Sequence, residues 1–241
     1  MESSNDNTYL KAYAGLNEVK QDARGLSDSL LHAYMPDCKP FLERLFTKPQ
    51  SKLNKGRFLY YSFLLGAILG STDVEGVDNL DYILTEDERA AVWRASNIRR
   101  YALTGPSKPY GDVIVSGIYP FVENVVTTAD RAIKNGDEQA TLRFAHDVTV
   151  IPFAYLLGIK CANTVTDDWA NISYKWRINE VTPMGANIQM IFYRSKRSDE
   201  ILVKIMHNER EQILDSSVAT PLESVYYRWE DIREYLQSKL R

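Results

Sequence analysis

Apolar side chains recur at intervals of three and four residues in the first part of the chain, which is the spacing of one face of an α-helix. The segment PFLERLF, from Pro40 to Phe46, follows this pattern. The segment from Lys55 to Ser71 is apolar over more than one face, as expected for a central, buried helix. Strand signals are few in this part, so the pattern predicts a mainly α-helical subdomain over residues 1–110.

A capping box predicts where one helix of this subdomain begins. In the run Thr85-Glu86-Asp87-Glu88, the Thr85 hydroxyl can accept a hydrogen bond from the Glu88 amide while the Glu88 carboxylate reaches back to the amide of Thr85. The predicted helix runs from Glu86 to about Leu103, and Gly105-Pro106 ends it.

The pattern changes after the loop TGPSKPYGD, whose Gly and Pro residues indicate a domain junction. From Ile118 to Ile133 the apolar residues again follow helical spacing, and Asn135-Gly136 ends that helix. The short run Ala140–Ala145 is interpreted as a strand, and Val148–Leu157 is apolar enough for a buried helix. The order helix, strand, helix predicts an α/β fold over residues 111–241.

Two β-rich runs predict a hairpin near the end of the chain. They span Asn187–Arg194 and Ile201–Met206, and the polar loop SKRSDE joins them. A short third strand is expected at Gln212–Leu214. The segment Trp229–Leu236 has the spacing of an exposed amphipathic helix.

Composition narrows the classes of partner and cofactor. The 29 Lys and Arg residues do not outnumber the 32 Asp and Glu residues, so no general basic field favours nucleic acid. The longest apolar stretch, Phe58–Gly70, is shorter than the roughly 20 residues that span a bilayer, and no membrane span is predicted. Cys38 and Cys161 lie outside any metal or disulfide spacing and are interpreted as buried thiols. No metal and no cofactor are expected.

His146 and Asp147 are the residues with candidate chemistry, since they follow the predicted strand and begin the next helix. Ligands of open α/β sheets bind at such strand ends, and a helix amino terminus favours phosphate. The histidine can donate to phosphate oxygens, and the Asp carboxyl group favours its protonated form beside a bound phosphate because like charges repel. The alternative is a plain connection in which Asp147 is an N-cap and His146 is a half-buried, hydrogen-bonded imidazole.

The longer string LRFAHDVTVIPFAYLLGI resembles the C-terminal motif of the histidine acid phosphatases. The blocks YILTEDERAAVWRASNIRRYALTGPS, VTPMGANIQMIFYR and ILVKIMHNE are similar to the multiple inositol polyphosphate phosphatases of this family. The resemblance implies a three-layer α/β domain with a helical subdomain, of which this chain is the C-terminal portion. It also implies a phosphohistidine mechanism in which His146 binds the phosphate and Asp147 protonates the leaving alcohol.

The nucleophile of this family lies in an Arg-His-Gly-x-Arg motif, which the sequence lacks. The other histidines are His32, in a predicted helix, and His207, in a predicted hairpin, and neither has flanking Gly and Arg. Three explanations remain for the missing motif. The gene is truncated or its model starts late, the upstream half lies on another chain, or the chain is a degenerate non-enzyme. The 241-residue chain by itself is therefore expected to be inactive, and the alternative function is a non-catalytic phosphate-binding chain.

Four basic residues are weaker candidates for contacts with the substrate. Arg99, Arg100 and Lys108 can contact a polyphosphorylated substrate, or else they lie on a solvated helix face. Arg143 either binds the anion or pairs with a neighbouring acid. The resemblance implies an inositol polyphosphate such as phytate as the substrate and a periplasmic or secreted location, although the sequence shows no secretory signal at its start. The missing N-terminal half or a second copy of the chain is the expected protein partner.

Overall fold

The chain divides into two compact units. The computed structural model describes residues 17–47, 57–58, 83–136, 139–196 and 198–240. One unit spans Arg24–Arg100, and the other combines Met1–Ala23 with Tyr101–Arg241. No helix in the described ranges is both long and apolar enough to cross a membrane.

The unit spanning Arg24–Arg100 is helical in the part that the structure describes. It contains most of α1 (Asn17–Tyr34), all of α2 (Lys39–Leu45) and most of α3 (Glu86–Thr104). The helix predicted over residues 40–46 is confirmed as α2. The helix predicted from Lys55 to Ser71 lies outside the described residues except for Arg57 and Phe58.

Apolar side chains from these helices form the core of the unit. The Phe41 and Phe58 rings pack with centroids 4.9 Å apart. The buried members of the cluster are Leu31, Met35, Cys38, Phe58, Leu84, Val92 and Ala95. Removing this surface from water stabilises the unit by about 25 cal/mol for each Å² of apolar area.

The predicted capping box at the start of α3 is confirmed. The Thr85 amide donates to Glu88 Oε2 at 2.9 Å, and the Glu88 amide donates to Thr85 Oγ1 at 3.2 Å. Arg44 of α2 also donates to Glu88 Oε2, at 2.6 Å. Partial burial acts to raise the pKa of Glu88, but the hydrogen bonds from Arg44 and Thr85 and the charge of Arg44 outweigh it, so the pKa is lowered.

The second unit contains six further helices within its described residues. They are α4 (Gly111–Ser116), α5 (Tyr119–Asn135), α6 (Asp147–Leu156), α7 (Ile172–Lys175), α8 (Ile178–Val181) and α9 (Trp229–Lys239). The helices predicted around residues 118–133, 148–157 and 229–236 are confirmed as α5, α6 and α9. Gly136 follows α5 in the left-handed region, with φ 70°. Its amide donates a hydrogen bond to a carbonyl oxygen in the last turn of the helix.

An antiparallel sheet lies beside these helices. Its strands are β1 (Ile188–Arg194), β2 (Ile201–His207), β3 (Arg210–Glu211) and β4 (Tyr226–Arg228). The order is β1-β2-β3, and β4 also pairs with β2. The predicted hairpin is confirmed, with Ile188 opposite His207 and Arg194 opposite Ile201.

The third strand predicted at Gln212–Leu214 is wrong by two residues. The chain turns immediately after β2, because Asn208 and Glu209 both adopt positive φ, at 49° and 62°. Two such residues form the tight turn that matches strand twist, so pairing resumes at once with Arg210 opposite His207.

The strand predicted at Ala140–Ala145 is also wrong. Residues 140–146 form neither helix nor strand, and no strand in the described part of the chain pairs with them. Leu142 and Phe144 are 76% and 94% exposed. The apolar pattern by itself does not make a strand, because the ladder needs a neighbouring backbone to satisfy its N–H and C=O groups. The α/β fold class is nevertheless confirmed, since the fold combines helices with a sheet.

Packing between α5 and α6 sets the position of the α6 amino terminus. The Phe121 and Phe153 rings meet edge to face, with centroids 5.3 Å apart. At the other end of α6, Gly158 has φ 66°, and a Cβ atom there would lie 2.7 Å from Val218 Cγ2. Glycine is therefore required where α6 turns back toward the core.

Candidate active site

His146 and Asp147 lie at the amino terminus of α6. His146 is the N-cap residue, with extended backbone at φ −94° and ψ 168°, and its carbonyl accepts from the amides of Thr149 and Val150 at 2.9 and 3.2 Å. Asp147 is the first residue of the helix. The interpretation in which Asp147 is the N-cap is therefore wrong, because the chain enters the helix one residue earlier.

The His146 side chain faces outward instead of serving the helix. Its residue is exposed, and the N-cap makes no side-chain hydrogen bond to the helix. The interpretation of His146 as a half-buried, hydrogen-bonded residue is wrong for the same reason. An exposed imidazole at this position is accessible to a ligand that approaches the end of α6.

The α6 amino terminus has the polarity that an anion requires. The helix is 10 residues long and its interior is apolar, with Ile151, Ala154 and Leu156 buried. Backbone N–H groups at the start of a helix point out of it, and the aligned peptide dipoles give this end a partial positive charge. Burial of the helix body holds this end in place for a phosphate group.

Arg143 approaches the same region from the irregular segment before His146. Its Nε and Nη2 atoms donate to Asn124 Oδ1, at 3.2 and 3.0 Å. Asn124 belongs to α5, so this contact ties the segment to that helix. Sequence reasoning did not identify Asn124, because nothing in the pattern of α5 distinguishes it from other polar residues on the helix surface.

Two of the other basic candidates lie beside acidic side chains of their own units. Lys108 Nζ lies 3.1 Å from Asp167 Oδ1, and its hydrogen bond lowers the pKa of Asp167. Arg99 Nε lies 4.0 Å from Asp28 Oδ1. Arg99 and Arg100 belong to the unit Arg24–Arg100, whereas Lys108 and His146 belong to the other unit. Their contact with a substrate stays a prediction.

His207 has a structural role. It ends β2 with 3% of its surface exposed, its Nε2 lies 2.8 Å from the Val181 carbonyl oxygen, and its Nδ1 lies 3.8 Å from Cys161 Sγ. Burial lowers the pKa of His207. A ring enclosed in this way cannot reach a substrate phosphate. His32 lies on α1, in the unit Arg24–Arg100.

A large groove adjoins the α6 amino terminus. Its volume is about 1040 Å³, and residues from α5, α6, β1 and the segment 139–145 line it. Thr149, Val150 and Phe153 of α6 are among the lining residues. In the described parts of the chain, no group of three His, Cys, Asp or Glu side chains is arranged to hold a metal ion.

Sequence comparison identifies the family. The model of the histidine phosphatase superfamily (branch 2) matches residues 95–208, a range that contains His146, Asp147 and Arg143. This match supports the histidine acid phosphatase family for the segment that contains the candidate site. The resemblance of the segment around His146 to the histidine acid phosphatases is thereby confirmed. A search of curated proteins finds no match.

Solved structures of one bacterial enzyme support the same family. The Bifidobacterium longum multiple inositol polyphosphate phosphatase in complex with phosphate matches with a TM-score of 0.55 and 25% identity, over 64% of this chain and 33% of that chain. Its complex with inositol hexasulfate matches with a TM-score of 0.66 and 20% identity, over 100% of this chain and 60% of that chain. The second match shows the fold, and the chain spans less than two thirds of the length of either structure.

Proposed function

We propose that this chain is part of a phosphomonoester hydrolase of the histidine acid phosphatase type that dephosphorylates inositol polyphosphates such as phytate. The observation that carries the proposal is the position of His146 and Asp147, side by side at the amino terminus of α6 and inside the range that the family model matches. The Bifidobacterium longum structures, which include complexes with phosphate and inositol hexasulfate, support this substrate class.

Each of the two residues has one role in the proposed reaction. A histidine nitrogen from outside this chain attacks phosphorus, the bond from phosphorus to the alcohol oxygen breaks, and a phosphohistidine forms. His146 donates a hydrogen bond to a phosphate oxygen, and Asp147 transfers its proton to the departing alcohol oxygen. Water then attacks phosphorus and gives a proton to the ionised Asp147, the phosphorus–nitrogen bond breaks, and inorganic phosphate leaves.

Arg143 is a further phosphate-binding candidate in this proposal. Its guanidinium group lies three residues before His146 and is held on α5 by Asn124. An arginine held in this way presents several fixed N–H donors, which suits the oxygen atoms of a phosphate group. Arg99, Arg100 and Lys108 are proposed as weaker contacts to the other phosphates of the substrate.

The test is the change Asp147→Asn in an active phosphatase that includes this chain. We expect kcat for an alkyl phosphate to fall by about 10²- to 10⁴-fold, the usual contribution of a general acid. The loss should be much smaller for an aryl phosphate whose leaving group is already acidic. Asp231→Asn is the matched control, because Asp231 is an exposed carboxylate in the first turn of α9. A full rate on the alkyl phosphate in the Asp147→Asn enzyme contradicts the proposal.

The alternative function is a non-catalytic chain that retains a phosphate site. The observation that favours this alternative is that these 241 residues contain no Arg-His-Gly motif. The DNA upstream of Met1 distinguishes the two functions. An in-frame Arg-His-Gly segment supports the hydrolase, and its absence supports the binding chain.

A further inference from the structure

A buried histidine joins three segments of the second unit. His207 ends β2 and is 3% exposed, so its ring lies inside the protein. Its Nε2 atom lies 2.8 Å from the carbonyl oxygen of Val181, the last residue of α8. Its Nδ1 atom lies 3.8 Å from the Sγ atom of Cys161, in the segment that follows α6. Both ring nitrogens therefore contact segments other than the strand that carries the ring.

The two contacts determine which ring nitrogen carries the proton. A carbonyl oxygen only accepts hydrogen bonds, so Nε2 is the protonated nitrogen and donates to Val181. Nδ1 then has a lone pair, which accepts from the Cys161 thiol. Asn208 Nδ2 lies 3.2 Å from Nε2 but donates to the Glu180 carbonyl oxygen, at 3.1 Å. The surroundings of the ring thus match its neutral form.

Three carboxylates of the elements around the ring are engaged by other side chains. They are Glu180 of α8, with Arg177 at 3.6 Å, Glu209 of the turn after β2, with Gln189 at 3.0 Å, and Glu211 of β3, with Lys204 at 2.9 Å. Within the described residues, no ion pair joins His207 to a carboxylate. A second proton on the ring therefore has no counter-charge in contact with it.

The remaining titratable neighbours also favour the neutral ring. Burial raises the pKa of the Cys161 thiol, so the thiol stays protonated and donates to Nδ1. Lys160 precedes Cys161, and Arg210 lies opposite His207 in the register of β2 and β3. Both are exposed cations, and neither can neutralise a second positive charge on the ring. Burial lowers the pKa of His207 from the ordinary 6.5, against the opposing effect of the hydrogen bond to Val181.

A second proton on the ring replaces a matched contact with a mismatched one. The new N–H group at Nδ1 points at the Cys161 sulfur, which is a weak acceptor, and the thiol loses the acceptor for its own proton. A buried charge without a counter-charge is costly, whereas the same imidazolium is well solvated in water. Acid therefore favours a state in which water reaches the ring because the segments around it have separated.

We propose that His207 is an acid-sensitive latch, which holds α8 and the loop 182–187 against β2 while its ring is neutral and releases them when the ring takes up a second proton. The loop follows Val181 directly and leads into β1, so release of α8 frees one end of the loop. Histidine suits such a device because its charge changes in the range between neutral and mildly acidic pH. The latch is a property of the folded chain and does not depend on the proposed reaction.

The loop 182–187 forms part of the groove beside the candidate active site. Its last three residues, 185–187, line the groove, as does Ala145, which directly precedes His146. The Asn187 amide also donates to Asn208 Oδ1 at 3.2 Å, next to the latch. Release of the latch therefore changes a wall of the groove that adjoins the candidate site.

The first test is an NMR titration of the 241-residue chain with labelled histidine rings. The chain has three histidines, so loss of signals in His32→Gln and in His146→Gln leaves the signals of His207 identified. We expect the Nε2–H tautomer at neutral pH and a pKa below 6.5. The Nδ1–H tautomer, or a doubly protonated ring in the folded chain above pH 6.5, overturns the latch.

The second test compares stability in His207→Gln and His32→Gln. The unfolded chain takes up a proton on His207 near pH 6.5 and the folded chain only at lower pH, so the free energy of unfolding declines as the pH falls through that range. We expect the Tm of the unchanged chain to fall by about 2 °C or more relative to His207→Gln, whose amide can donate to Val181 but does not titrate. His32→Gln is the matched control, because His32 is exposed on α1, and it should follow the unchanged chain. Parallel Tm curves for the unchanged chain and His207→Gln overturn the latch.

Hydrogen exchange shows whether the opening is local. At mildly acidic pH, the amides of residues 178–187 should exchange several-fold faster in the unchanged chain than in His207→Gln, whereas the amides of α5 should exchange equally in both. Comparison at one pH removes the intrinsic effect of pH on exchange. Equal exchange at residues 178–187, or equal acceleration there and in α5, overturns the latch. None of these measurements uses phosphate or turnover, so failure of the hydrolase leaves the latch standing.

Discussion

At the residue scale, the Tyr101 hydroxyl connects α3 to the segment 164–166, which is distant in the sequence. It donates to the Thr164 carbonyl oxygen at 2.7 Å and accepts from the Thr166 amide at 3.1 Å. Its ring packs against Trp176 and Trp169, with centroids 5.2 and 6.0 Å away. Burial raises the pKa of Tyr101 to about 12, against the opposing effect of the hydrogen bond from Thr166. The hydroxyl therefore stays protonated over the working pH range.

Removing this hydroxyl should destabilise the unit that contains it. Tyr101→Phe leaves the partly buried Thr166 amide and Thr164 carbonyl group without this partner, which costs about 1–3 kcal/mol. The measurement is urea unfolding followed by circular dichroism. Tyr174→Phe serves as the control, because Tyr174 is 82% exposed. Equal stability of the two variants contradicts the assigned role of the hydroxyl.

At the same scale, the sequence identified His146 and Asp147 as a candidate site, but the alternative interpretation assigned the N-cap to the wrong residue of the pair. Both the pattern and the motif placed the pair at the start of a helix, where the structure also has it. Which of the two residues is the N-cap depends on the backbone angles at the entry to α6. The contact of Arg143 with Asn124 joins residues 19 positions apart, and no local pattern encodes it.

At the element scale, the start of α3 is fixed by the reciprocal hydrogen bonds of Thr85 and Glu88. Arg44 of α2 adds a second partner for Glu88 and also donates to the Ile83 carbonyl oxygen, at 2.9 Å. Both contacts lie on the unit Arg24–Arg100. The cap thus joins the helix start to the neighbouring helix α2.

Loss of the cap should weaken that unit. Thr85→Ala removes the hydroxyl that accepts from the Glu88 amide, and the expected loss is about 1 kcal/mol of unfolding free energy. Thr85→Ser retains the acceptor and should keep most of the stability. Thermal and urea unfolding of the two variants provide the measurement, and indistinguishable curves argue against a stabilising cap.

At the scale of the whole molecule, the residues assigned above supply only some of the groups that the proposed reaction requires. In the proposed reaction His146 binds the phosphate, and His207 is enclosed in the core, so neither histidine serves as the nucleophile. We therefore expect this chain to bind phosphate without turning over a substrate.

The 241-residue chain by itself should bind inorganic phosphate without catalysing multiple turnovers of phytate. His146→Ala should weaken the binding of phosphate, measured by calorimetry, by removing a hydrogen-bond donor worth about 1.5–3 kcal/mol to a charged group. Phosphate release from phytate is measured in parallel. Robust hydrolysis by this chain, abolished in His146→Ala, contradicts the assignment of the nucleophile to another polypeptide.

The sequence by itself determined the elements whose signals are local. The capping box of α3, the left-handed Gly136 after α5 and the β1–β2 hairpin all depend on residues a few positions apart or on a simple repeat. Helix periodicity and cap chemistry are set by such neighbours, so they can be deduced from the order of residues.

Only the tertiary structure decided what happens to a strand pattern. Residues 140–145 have the apolar character of a strand but pair with no strand in the described chain, whereas β1 pairs with β2. A strand exists only where another backbone meets its hydrogen-bonding groups, and that meeting depends on residues far away in the sequence or on another polypeptide.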